Sequence, residues 1–103
     1  MGLLPWMIMN NRNLDNDYFD YYEVDLEELQ RLLVDGADIN TRDEDGWTCL
    51  MIAARDGLLE VAQLLIENKA RLDIRNRDDQ TALHIASEQG HYDILQRLRI
   101  NNK

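Results

Sequence analysis

Apolar positions along this chain recur in short helical stripes separated by glycines. Leu26, Leu29, Leu32 and Leu33 fall on one face of a helix, with Glu27, Glu28 and Arg31 on the other. Glu27 precedes Arg31 by four residues, the favourable order for a weak ion pair. Asp25 is placed to cap this helix, and Gly36 to end it, because glycine tolerates the positive φ of a helix stop. A second stripe, Leu50, Ala53 and Ala54 with Met51 at its edge, predicts a short helix from an N-cap at Thr48 through Arg55, closed by Gly57. Leu58 to Glu67 then predicts an antiparallel partner, with Val61, Ala62, Leu64, Leu65 and Ile66 apolar. In a third unit Thr81 caps, Leu83, Ile85 and Ala86 pack, Gly90 stops, and Tyr92 to Arg99 forms the last helix. Upstream, Leu14, Tyr18, Tyr21 and Tyr22 share a face at helical spacing, opened by Asn13.

These stripes repeat at a fixed distance. Thr48 and Thr81, Leu50 and Leu83, Ala53 and Ala86, and Gly57 and Gly90 are each 33 residues apart. Leu32-Leu33 answers Leu65-Ile66, and the Gly36–Asn40 segment answers Lys69–Asp73. A constant period of this length indicates stacked supersecondary units in place of one undivided core. The chain has 103 residues, room for about three such units, near the minimum at which neighbours bury a continuous core. The expected division is an N-terminal segment, 1–13, either flexible or capping, then one domain, 14–100, with repeats at about 14–41, 42–74 and 75–100, and a tail, 101–103. In the last helix Arg97 takes the register of Leu64 and Arg99 that of Ile66. That predicts a polar outward face, as a terminal repeat needs for solubility, and an end to the stack there.

Charge narrows the partners. The formal net charge is −9, and residues 1–41 carry −7 of it, with two arginines against nine acids. Such a surface repels a phosphate backbone, so nucleic acid is disfavoured, while a basic protein is an allowed partner. No apolar run approaches a membrane span, and the single cysteine, Cys49, excludes an internal disulfide. The expected setting is cytoplasmic and the expected state a single chain. His84, His91 and Cys49 lack metal-ligand spacing, and no cofactor is expected. Cys49 sits near a helix N-terminus with no base beside it, which favours packing over nucleophilic chemistry.

The units resemble the ankyrin repeat. The residues that carry the resemblance are Thr48-Cys49-Leu50-Met51 and Thr81-Ala82-Leu83-His84, together with Gly36-Ala37-Asp38-Ile39-Asn40, over roughly residues 24–100. The resemblance implies an all-α solenoid of stacked helix-turn-helix units with β-hairpin-like fingers. It also implies a protein-binding role through the finger tips and the concave helix face, generally without enzymatic activity. The pattern departs where Cys49 and Ala82 stand in place of proline, Asp79 in place of the turn glycine and Lys69 in place of the helix-stop glycine.

Carried across by position, the finger residues are Arg42, Glu44, Asp45 and Trp47, then Arg75, Arg77, Asp78 and Gln80. The inner-helix residues are Met51, Arg55 and Asp56, then His84, Glu88 and Gln89. Trp47 stands off the core pattern, and tryptophan and arginine are enriched at binding hot spots. Its alternative is to lie flat on the neighbouring finger. Arg42, Arg75 and Arg77 form either a basic stripe or local pairs with Glu44, Asp73 and Asp78. His84 is expected to hydrogen-bond at the finger–helix junction, and His91 to lie at the surface. Tyr18, Phe19, Tyr21 and Tyr22 either cap the first unit or offer an acidic-aromatic docking surface. The function expected is a non-catalytic adaptor or scaffold. The alternative is a small acidic inhibitor or immunity protein that blocks the basic site of an enzyme.

Overall fold

The computed structural model describes residues 26–101. The helix expected from Leu14, its aromatic face, the Asn13 and Asp25 caps and the 1–13 segment lie outside them. Within them are five helices: α1 (Leu26–Val34), α2 (Cys49–Asp56), α3 (Leu59–Glu67), α4 (Ala82–Gln89) and α5 (Tyr92–Asn101). No sheet forms among the described residues, so the architecture is all-α.

Each hairpin starts and stops by the expected chemistry. Thr48 accepts from the Met51 amide and Thr81 from the His84 amide, so both threonines satisfy an amide of the first turn. Gly57 and Gly90 end α2 and α4 in left-handed conformations, at φ 72° and 74°. The next residues, Leu58 and His91, donate their amides back to the Ala53 and Ala86 carbonyls at 3.0 Å. Those bonds turn the chain directly into the second helix of each unit.

The core is one cluster running through the stack. Helix α2 packs on α4, α3 on α5 and α1 on α3. Ala53, Ala54, Ala62 and Ala86 are wholly buried, as are Leu65 and Ile94. Methyl side chains at the contact let helix backbones approach closely, while the larger residues fill the spaces between them. In α1, Leu29 is buried, and Leu26, Leu32 and Leu33 pack against the same cluster.

Two left-handed positions are filled by residues other than glycine. Lys69, at φ 68°, occupies the register of Gly36 at φ 96°, and Asp79, at φ 64°, that of Gly46 at φ 81°. A side chain with Cβ is disfavoured there by about 1–2 kcal/mol. Gly46 has a further constraint, since a Cβ on it would lie 3.0 Å from the Asn76 Cα of the next finger. Two substitutions should therefore move stability in opposite directions. Lys69→Gly should raise the unfolding free energy measured by urea titration, by about 0.5–1 kcal/mol once the added freedom of the unfolded chain is offset. Gly46→Ala should lower it by roughly 1–3 kcal/mol.

Candidate partner-binding surface

The fingers are built by an aspartate and an asparagine at equivalent positions. Asp43 Oδ1 accepts the amides of Asp45 and Trp47, both at 2.9 Å. Asn76 Oδ1 accepts those of Asp78 and Gln80 at 2.9 and 3.0 Å. The Asp43 amide donates to the Trp47 carbonyl and the Asn76 amide to the Gln80 carbonyl, which closes each tip as a hairpin-like turn. Successive fingers are joined by the Arg77 amide, which donates to the Asp45 carbonyl at 3.0 Å. Further along the chain, the Arg71 amide donates to Asn40 Oδ1 at 2.9 Å. Neither Asp43 nor Asn76 was among the expected site residues. Their signal in the sequence is a side chain able to form such a turn, recurring 33 residues apart two positions before each tip.

Trp47 emerges where the first of these fingers meets α2. It is half-buried against the core, and the Arg55 guanidinium lies over its ring, 5.5 Å from the centroid. Arg55 is held in turn by Asp56 at 2.9 and 3.1 Å. Trp47 thus lies under a cation of its own unit, with its backbone fixed by Asp43. The third unit has a different bridge at the same junction. Gln80 accepts from Asn76 at 3.1 Å and donates to Glu88 at 2.8 Å, tying the finger to α4.

The arginines divide. Arg75 pairs with Asp79 at 3.5 Å, an aspartate other than those expected. Asp73 pairs with Arg71 at 2.9 Å, and that guanidinium holds its carboxyl below the ordinary range. Arg42 and Arg77 are exposed and have no carboxylate partner among the described residues. Glu44, Asp45, Asp78 and Glu88 are exposed beside them.

Two expected positions are corrected, Met51 and His91. Met51, expected on the binding surface, is only 1 % exposed and belongs to the core. His84, in the same register, is exposed. It makes the junction hydrogen bonds expected of it, accepting the Thr81 amide at 3.4 Å in a reciprocal cap. His91, expected at the surface, is half-buried. Its ring lies against Gly57, where a Cβ would come within 2.7 Å of Cε1, and Nε2 is 3.1 Å from the Arg55 carbonyl. With the proton on Nε2, His91 satisfies a terminal carbonyl of α2 from the following unit.

No group of three or more His, Cys, Asp or Glu residues suited to a metal ion occurs among the described residues. None of their helices is long and apolar enough to cross a membrane. Cys49 is fully buried, and burial pushes its thiol up from 9.0 to about 12, overriding any help from the helix N-terminus.

Repeated capped hairpins with linked fingers define a helical-repeat solenoid. The ankyrin repeats family model, in three copies, matches residues 21–103, and the chain belongs to the ankyrin-repeat family. Domains of this family are generally protein–protein interaction modules and typically non-catalytic. No curated protein matches the chain.

The Cys49 environment gives a pH signature. The folded thiol stays protonated, while the unfolded one ionises above about pH 8.5. The stability involved is fully present below that pH and is lost as pH rises toward about 12. In urea titrations at rising pH, the wild-type protein should lose about 1.4 kcal/mol per pH unit more than Cys49→Ala over that window. Alkylation of Cys49 should be slow until the protein unfolds.

Proposed function

We propose that this protein is a non-catalytic adaptor or scaffold that binds a partner protein along its fingers and inner helices. The observation that carries this reading is Trp47, half-buried at the finger–helix junction and covered by Arg55. A large aromatic already restrained by its neighbours loses little conformational freedom on binding. Around it lie Arg42 and Arg77, exposed and without carboxylate partners among the described residues, and the carboxylates of Glu44, Asp45, Asp78 and Glu88. The rim therefore offers both signs of charge, which favours recognition by complementarity over general attraction.

The skewed charge supports a second reading, an acidic inhibitor of an enzyme with a basic site, since residues 1–41 carry −7. Salt separates the two readings. Inhibition driven by that charge weakens steeply as ionic strength rises, whereas a complex centred on Trp47 keeps most of its affinity.

The partner is to be recovered by affinity purification and its dissociation constant measured. Trp47→Ala should raise that constant more than about tenfold, with circular dichroism confirming the helical fold. Arg77→Glu, at an exposed position, should weaken binding without changing stability. Unchanged affinity in both variants would remove the fingers from the interface.

A further inference from the structure

The residue that follows the glycine stop differs between the two hairpins. Leu58 follows Gly57 in the second unit, and His91 follows Gly90 in the third, 33 residues on. Leucine has no side-chain donor. The His91 imidazole has one and reaches across the junction with it, Nε2 lying 3.1 Å from the Arg55 carbonyl. A carbonyl only accepts, so the proton of this bond is on Nε2. Arg55 stands in the last turn of α2, where carbonyls lack a partner within the helix. The same ring lies against Gly57, the C-cap of α2, so closely that a Cβ there would come within 2.7 Å of Cε1. The end of α2 is thus held by a side chain of the following unit.

That turn also carries the cover of the candidate binding surface. The Arg55 guanidinium lies 5.5 Å from the centroid of the Trp47 ring and is gripped by Asp56 at 2.9 and 3.1 Å. Asp56 is the last residue of α2, so the cation and its carboxylate stand on one helical turn. Asp43 fixes the Trp47 amide, but it does nothing to place the guanidinium over the ring. A terminal turn opens more readily than the rest of a helix, because few contacts are lost when it does. His91 gives this turn a bond from 36 residues away that opening must break.

We propose that His91 is a positioning residue for the Trp47 surface. By holding the Arg55 carbonyl, the third unit keeps the guanidinium of the second over the indole. This rests on the finger-binding reading for its importance to a partner, but its first test needs none.

Trp6→Phe leaves Trp47 as the one tryptophan of the chain. In that background, acrylamide quenching reads the cover of the indole. His91→Leu removes the donor and matches the residue at position 58. It should raise the quenching constant roughly twofold, as should Arg55→Ala. The two together should raise it no further than Arg55→Ala alone, because both act through one guanidinium. His91→Gln, whose amide nitrogen can donate in place of Nε2, should stay near the starting value. Ile94→Val, a core change in α5 that spares this bond, should leave quenching unchanged. No rise in His91→Leu overturns the proposal. So does an equal rise in His91→Gln or Ile94→Val, or an additive rise in the double variant. With a partner in hand, His91→Leu should raise its dissociation constant more than about threefold. A partner weakened by Trp47→Ala but indifferent to His91→Leu overturns the proposal as well. A partner indifferent to Trp47→Ala sinks the finger-binding reading alone, and the quenching series still decides the role of His91.

Discussion

Close approach of neighbouring helices is the constraint on which the rest of this structure depends. Ala53 and Ala54 on α2, Ala62 on α3 and Ala86 on α4 expose no surface. Methyl groups at these points let the hairpins stack in register, and register brings the edge groups within hydrogen-bonding distance. The Arg77 amide then meets the Asp45 carbonyl, His91 meets the Arg55 carbonyl, and Arg97 meets Gln63. None of these links is local in sequence. Each exists because apolar packing has already set the spacing between units, and each makes a slip between units costly by leaving polar groups unpaired.

The same spacing supports the candidate binding surface. A finger that stood alone would be a polar loop with little to hold its shape. Here Asp43 and Asn76 shape the two tips from within, and the Arg77–Asp45 link joins them. Trp47 rests partly on the core and partly under Arg55, so its position follows from the stack below it. Gln80 and Glu88 tie the next finger to α4. The third unit thus gains from a polar bridge what the second gains from an aromatic one.

Much of this was legible from the period. The threonine caps and the glycine stops follow from local chemistry, which a sequence states directly, whereas Lys69 and Asp79 are left-handed against their own preference, in the register of Gly36 and Gly46. What was not legible depends on cover by a neighbouring unit. Met51 and His84 share a register, yet one is core and the other surface, and no property of position within a repeat separates them. His91 is half-buried only because it finds Gly57 across the junction. Arg97 is exposed as its register predicts, but its bond to Gln63 crosses to the preceding unit. Trp47 reads as standing off the core pattern, but it packs partly on the core, and its contact with Arg55 joins a finger to a helix residue eight positions further on. Pairings across units have no signature in a period, because the period describes each unit alone.

A stack built by translation uses two different faces of every unit to bury one core. At an end, one of those faces has no counterpart within the chain. The open side of α5 and the finger surface are separate, since no residue from 42–47 or 75–80 lines the groove along α5. Contact through one leaves the other accessible.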